Sequence, residues 1–324
     1  MAQAIVVRAL GGPEVLKLEG VTPPSPGPGE VQIRQVAIGV NFIDVYFRTG
    51  LYKSAEMPFI PGKEGAGIVT IVGDGVNGFS VGDRVAYASS DGAYSSERNV
   101  EVSQLVKVPD EISLETAAAM MLKGMTAQYL LNQTFKVGPE TTLLFHAAAG
   151  GVGLIAGQWA KALGATVIGT AGSQDKIDLA LAHGYDHVIN YRTEDFVSRV
   201  KEITGGKGVD VVYDSVGKDT YPASLDCIKP RGLWVSFGNS SGPVDAFSIG
   251  ILAQKGSLFA TRPTLFSYVS TRAALEACAN SLFEVVRSNK VRININQTYA
   301  LADAAKAHAD LEARKTSGTT LLIP

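Results

Sequence analysis

Cysteine is nearly absent from this 324-residue chain: only Cys227 and Cys278 occur. Histidine is scarce too, with His146, His183, His187 and His308, and none of these six residues precedes residue 124. So few cysteines exclude a disulfide scaffold and point to a reducing compartment, with both thiols as buried packing groups. No run approaches the ~18 uninterrupted apolar residues of a membrane span. Met1–Val7 lacks a basic stretch ahead of a long apolar core and reads as a first strand, not a signal peptide. A charge excess is missing as well: 29 basic against 31 acidic side chains leave a net −2. That balance supplies no general attraction to nucleic acid or anionic lipid. The chain is therefore expected to be soluble and cytoplasmic. Its length and 46% hydrophobic content suit two globular domains.

Turn residues divide the first part into short strands. Apolar or alternating runs at 4–7, 31–40, 67–72 and 83–87 are separated by clusters such as Gly73-Asp-Gly75 and Val81-Gly-Asp83. The segment Thr22-Pro-Pro-Ser-Pro-Gly-Pro-Gly29 is a loop, because proline fixes φ and lacks the N–H. From Leu114 to Asn132 the apolar period becomes helical. Strands and helices then alternate: strands at 143–147, 166–170, 209–213 and 233–237, helices at 153–163 and 174–182. Such alternation predicts an α/β fold with a doubly wound parallel sheet. The chain closes with a helix over 271–289, a strand near 297–299, a short helix from Ala302 and a strand at 319–323.

The sharpest motif is Leu143-Leu-Phe-His-Ala-Ala-Ala-Gly-Gly-Val-Gly153. An apolar strand runs into small residues and opens a helix, the requirement of a dinucleotide-binding turn whose helix N-terminus faces a pyrophosphate. The Gly-x-Gly-x-x-Gly spacing falls on Ala148, Gly150 and Gly153, so alanine stands at the first position. The second strand ends Gly169-Thr-Ala-Gly-Ser173, with no carboxylate before Asp175 to hold a ribose 2′-OH. Ser173 tolerates a 2′-phosphate, and Lys176 is either its counter-charge or an ordinary solvated helix lysine. NADPH is expected over NADH. His146, just ahead of the glycines, reads as a satisfied core histidine rather than a catalytic one.

Taken together these residues resemble the medium-chain dehydrogenase/reductase superfamily, and within it the zinc-free, zeta-crystallin-like quinone oxidoreductase branch. The resemblance spans nearly the whole chain. Its carriers are Gly11-Gly-Pro-Glu-Val-Leu16, Gly39-Val-Asn-Phe-Ile-Asp44, Gly62-Lys-Glu-Gly-Ala-Gly67, Gly82-Asp-Arg-Val85 and Leu122-Lys-Gly-Met-Thr126. Further along stand Ile189-Asn-Tyr-Arg192, Asp210-Val-Val-Tyr-Asp-Ser-Val-Gly217, Ser236-Phe-Gly-Asn239 and Leu311-Glu-Ala-Arg314. It implies a GroES-like β-rich outer domain (1–124), a Rossmann cofactor domain (125–262) and a C-terminal segment (263–324) returning to the outer domain. Zinc-dependent relatives carry Cys and His-Glu where Asn41 and Lys63-Glu64 stand here. A catalytic zinc needs three N, S or O ligands, so metal-assisted alcohol oxidation is not expected.

The resemblance implies an NADPH-dependent quinone reductase, with a quinone as small-molecule partner and no metal. Asn41 falls beside the nicotinamide ribose, and Tyr46 and Tyr52 fall along the substrate cleft or, alternatively, are packing aromatics. Thr126 and Tyr129 match cofactor contacts. Gly150, Gly151 and Val152 supply the pyrophosphate turn, while Gly172, Ser173, Lys176 and Tyr191 surround the adenosine phosphate. Gly238, Asn239, Ser240 and Ser241 follow the fifth strand, and Arg314 matches a late cofactor contact or is a surface arginine. No single catalytic residue is demanded. A homodimer through the strand near 257–261 is expected, since unpaired strand edges invite pairing. An NADPH-dependent reductase of alkenals and enones is the alternative enzyme. A non-enzymatic nucleotide- or RNA-binding role is the other class, which near-neutral charge disfavours.

Overall fold

The computed structural model describes residues 1–53, 56–88 and 91–324. The chain divides into two compact units: Met1–Met125 with Val269–Arg287 and Ile293–Pro324, and Thr126–Tyr268 with Ser288–Arg292.

The first unit opens with a two-stranded antiparallel sheet of β1 (Ala2–Val6) and β2 (Lys17–Val21). After the proline loop comes β3 (Glu30–Val40), then helix α1 (Phe42–Thr49), β4 (Glu64–Val72), β5 (Arg84–Ala88), β6 (Glu97–Glu101) and β7 (Leu105–Lys107). The long β3 is the hub, antiparallel to both β4 and β6. Its Val31 and Ile33, two residues apart on one face, enter a core with Val69, Val85, Tyr87 and Leu105. Helix α2 (Leu114–Tyr129) follows, and a π-helical stretch, Leu130–Thr134, ends the helical run.

The second unit is wound as its alternation predicts. Its elements are β8 (Thr142–Phe145), α3 (Gly151–Ala162), β9 (Thr166–Ala171), α4 (Gln174–Leu181), β10 (His187–Asn190), α5 (Phe196–Ile203), β11 (Val209–Asp214), β12 (Ile228–Ser236), the short α6 (Gly250–Gln254), β13 (Phe259–Thr261) and α7 (Leu265–Tyr268). The six strands are parallel, in the order β10-β9-β8-β11-β12-β13. Strand order therefore reverses between β8 and β11, the switch point outside which ligands of open α/β sheets bind. Leu143, Leu144 and Phe145 of β8 are all buried, the continuous apolar run of a strand covered on both faces.

The chain returns to the first unit through α8 (Arg272–Arg287), β14 (Ile295–Ala300), α9 (Ala304–Glu312) and β15 (Thr319–Ile323). Leu275, Ala279 and Leu282 form the buried stripe of α8. β15 lies antiparallel to β3, with Thr320 opposite Val40, and completes the seven-stranded mixed sheet. No helix among the described residues is long and apolar enough to cross a membrane.

Candidate functional site

In the second unit the site begins where β8 ends. The strand stops at Phe145, earlier than the apolar run to Ala147 suggests, because residues 146–149 turn and Ala147 takes a left-handed φ of 56°. Gly150 is the extended N-cap of α3. A Cβ on Gly153 would lie 2.5 Å from the Ala148 carbonyl oxygen and 2.6 Å from that of Ala147, so only glycine lets the helix press on the turn. The alanine at the first motif position is accommodated from β9, where a Cβ on Gly169 would meet the Ala148 Cβ at 2.6 Å. The Tyr185 hydroxyl donates to the Gly153 carbonyl at 2.8 Å and clamps the helix start. The first N–H groups of a helix have no intrahelical acceptor, and with the helix dipole they favour an anion. This turn fits a pyrophosphate.

Ser173 is the N-cap of α4, and Lys176 lies half-buried in that helix's first turn. A Cβ on Gly172 would sit 2.4 Å from the Tyr191 hydroxyl and 3.3 Å from Arg192 Nε. Gly172, Ser173 and Tyr191 are thus neighbours at the carboxyl end of β9, and a guanidinium stands beside them. Arg192 was not singled out by the sequence reading, although it is the next residue after Tyr191. Gly238 follows β12, where a Cβ would be 2.5 Å from the Ser215 carbonyl oxygen. Ser240 N–H donates to that carbonyl at 3.1 Å. The Ser241 hydroxyl donates to Val216 O at 2.9 Å and accepts from Asp219 N–H at 2.9 Å, so it clasps the neighbouring loop. Tyr129 is buried and stacks on Tyr268 with centroids 4.4 Å apart; Thr126, three residues before it, is half-buried.

His146 is buried between Thr170 Oγ1 (3.0 Å from Nδ1) and Ser224 Oγ (2.9 Å from Nε2). Burial holds its pKa below the usual range, against the raising effect of Asp214. The Ser224 hydroxyl donates to Asp214, which also accepts from Thr220, Val216 N–H, Gly217 N–H and Trp234 Nε1. His146 is a packed, neutral histidine tying β8 to its neighbours.

The first unit builds differently, from buried charges. Asn41 is the N-cap of α1, and its N–H donates to Asp44 Oδ2 at 2.9 Å. The Asn41 side-chain amide donates to Glu64 Oε2 at 2.8 Å and to Gly39 O at 3.3 Å. Glu64, fully buried, accepts at the same oxygen from Lys123 Nζ at 2.7 Å, and its Oε1 accepts from Leu122 N–H at 2.8 Å. Burial raises the Asp44 carboxyl to about 7, against the Asn41 N–H, the Tyr94 hydroxyl and the charges of Lys63 and Lys123. Asp44 Oδ1 finds no hydrogen-bond partner among the described residues.

From Asp44 the network continues inward. The Tyr94 hydroxyl donates to Asp44 Oδ2 at 3.0 Å and lies 2.9 Å from His308 Nε2, while Arg48 Nη1 lies 3.1 Å from His308 Nδ1. A guanidinium only donates, so Nδ1 accepts and the proton sits on Nε2. Burial, with the Arg48 charge, lowers His308 to about 3. Arg48 itself is buried and forks onto Glu312 with two bonds of 2.8 Å. Tyr46 is buried and Tyr52 half-buried, their rings 5.1 Å apart edge to face. Arg314 is exposed just past α9, at a left-handed φ of 58°.

Of the residues singled out in the first unit, Asn41, Tyr46 and Tyr52 belong to α1 and its flanks; Arg314 lies just beyond α9. Glu64 and Lys123 were missed as site residues. A signal existed: Lys123 is the lone charge between Thr116 and Gln128 of an apolar helix, and a buried charge needs a partner. These groups do not suit zinc. The Glu64 carboxylate already accepts from an ammonium, an amide and a backbone N–H, and the Lys63 ammonium holds Asp91 at 2.9 Å. Among the described residues no group of three or more His, Cys, Asp or Glu is placed to hold a metal.

A glycine-turn parallel sheet and a mixed-sheet unit together define a nucleotide-dependent dehydrogenase or reductase. Comparison agrees. Residues 27–137 match the alcohol dehydrogenase GroES-like domain, and residues 151–278 match the zinc-binding dehydrogenase family. A quinone oxidoreductase of Salmonella typhimurium is 56% identical, with all of both chains covered. A 2-haloacrylate reductase of a Burkholderia species is 46% identical over all of this chain and 99% of the other. The crystal structure of Escherichia coli quinone oxidoreductase complexed with NADPH superposes with a TM-score of 0.98 at 52% identity, covering both chains fully. The chain belongs to the medium-chain dehydrogenase/reductase superfamily, in its zinc-free quinone oxidoreductase branch.

Proposed function

We propose that this chain is an NADPH-dependent quinone reductase that works without a metal. The observation that carries the reading is its full-length likeness to quinone oxidoreductases, including one crystallised with NADPH. Bound NADPH supplies the hydride. Reduction of a quinone yields an aromatic product and asks for little carbonyl activation, so the protein's part is to bind, orient and exclude water. We assign the pyrophosphate to Gly150, Gly151 and Val152, and the 2′-phosphate to Ser173, Lys176 and Tyr191 around Gly172. The absence of a carboxylate at the end of β9 supports the phosphorylated coenzyme. We assign Asn41 to the nicotinamide ribose, Tyr46 and Tyr52 to the acceptor, and Thr126, Tyr129, Gly238, Asn239, Ser240, Ser241 and Arg314 to further nucleotide contacts.

The test is steady-state oxidation of NADPH and NADH with a series of quinones, with and without a chelator. NADPH turnover unaffected by the chelator is expected, and a chelator-sensitive rate would overturn the reading. The resemblance to a 2-haloacrylate reductase supports activated alkenes as a second acceptor class, and enones in the same series test it. We further propose a cytoplasmic homodimer. Its edge strand β13 pairs only with β12 among the described strands and carries Phe259 at 63% exposure. Light scattering of the purified protein at twice the chain mass is the expected result.

A further inference from the structure

Asn41 is a polar side chain of the first unit that is assigned to the nucleotide, and the groups around it decide what it has to offer. An amide carries two N–H donors and one carbonyl oxygen. Its nitrogen donates inside the protein to Glu64 Oε2 and to Gly39 O, and its oxygen faces the Asp44 N–H in the capping box of α1. A carboxylate is an acceptor only, so the amide orientation, usually ambiguous, is fixed here: reversing it would set two acceptors 2.8 Å apart. Glu64 in turn cannot swing away. Lys123 Nζ and Leu122 N–H hold its two oxygens, and both partners of the ion pair are buried. Gly39 makes the room, since a Cβ there would lie 2.2 Å from Glu64 Oε2.

We infer that Glu64, neutralised by Lys123, is a positioning residue that leaves Asn41 only the remaining acceptor capacity of its side-chain carbonyl, beside the Asp44 N–H it caps, to present to a bound nucleotide. The inference rests on the assignment of Asn41 to the nicotinamide ribose and deepens it. An acceptor-only side chain recognises a donor, such as a ribose hydroxyl or carboxamide N–H. It has nothing to give a quinone oxygen, which is itself an acceptor. Asn41 therefore orients the coenzyme and does not activate the substrate carbonyl.

The test is a double-mutant cycle. Wild type, Glu64→Gln, Asn41→Ala and the double variant are compared by NADPH fluorescence titration, thermal denaturation and quinone reduction. An amide at 64 has one acceptor oxygen, so in either orientation its NH2 group opposes Leu122 N–H or the Lys123 ammonium and Asn41, and NADPH binding is expected to weaken roughly ten-fold, about the worth of one buried hydrogen bond. Asn41→Ala is expected to weaken it by a similar factor. Because Glu64 acts through Asn41, the double variant is expected to bind NADPH within about three-fold of Asn41→Ala, whereas two independent losses would multiply. Wild-type affinity in Glu64→Gln, or multiplied losses in the double variant, overturns the inference. If Glu64→Gln does not fold, Glu64→Asp takes its place in the same cycle, with the same overturning result. A wild-type protein that ignores NADPH overturns the functional reading itself, which separates the two failures.

Discussion

The two units solve the problem of presenting polar groups in opposite ways. The nucleotide unit uses the backbone: glycines that let α3 and Gly238 approach their neighbours, and helix N-termini whose partial charges are fixed by the fold. The outer unit uses ionisable side chains, with Asp44, Arg48, Glu64, Lys123 and His308 all buried. A backbone dipole is presented without burying a full charge. A buried side-chain charge must be neutralised and hydrogen-bonded, and each loss of a partner is costly. The backbone site is therefore expected to fail where a Cβ is added at a close approach such as Gly153. The side-chain site tolerates small changes of shape and fails when one charge is removed.

Four experiments sharpen that contrast. The largest effect is expected in the outer unit: Lys123→Met leaves the Glu64 carboxylate buried and uncompensated and should cost about 3–5 kcal/mol in urea denaturation. A loss below 1 kcal/mol, on the scale of an exposed ion pair, would end the idea that the pair is essential there. Next, Gly153→Ala drives a methyl group into the Ala147 and Ala148 carbonyls and should cost about 1–3 kcal/mol, with weaker NADPH binding. Third, Lys176→Ala should lower NADPH affinity about ten-fold while NADH affinity barely moves. Equal losses for both coenzymes in a titration would remove Lys176 from the phosphate site.

The smallest effect is a slope with pH. Asp44 rises from 3.8 to about 7 on folding, so between those values the unfolded chain ionises first and stability falls as pH rises. His308 drops from 6.5 to about 3, so over that window the unfolded chain takes the proton and stability falls as pH drops. Each slope is at most about 1.4 kcal/mol per pH unit. Asp44→Asn, which can still accept from Tyr94 and Asn41, should flatten the rise-side loss. His308→Gln should flatten the acid-side loss. Melting temperatures from pH 4 to 8 check both, and unchanged slopes would show that the polar core is not titrating.

The nucleotide unit was largely legible because its site is written in consecutive residues. The run from Leu143 to Gly153 names its own strand, turn and helix. The second strand, with its missing carboxylate, follows on schedule. Even there Arg192, quoted in the Ile189–Arg192 run, was not read as a site residue, since its closeness to Gly172 comes from β9 and β10 lying side by side. The outer unit was legible as strands and turns, not as a network. Glu64 was noted only within the Gly62–Gly67 run, beside Lys63 where zinc-dependent relatives carry histidine, and His308 and Arg48 were not connected to anything.

By itself, then, the order of residues determined the class of fold, the position of the candidate dinucleotide turn and the lack of cysteine and histidine before residue 124. Local periodicity and glycine spacing are properties of neighbours along the chain. What only the tertiary structure decided is the company of each buried charge. Asn41 is oriented by a carboxylate 23 residues away, and Arg48 meets Glu312 264 residues away. Those pairings arise when β3, β4, α1, α2 and α9 pack, and low-dielectric burial of Glu64 and Arg48 then makes the loss of a partner costly.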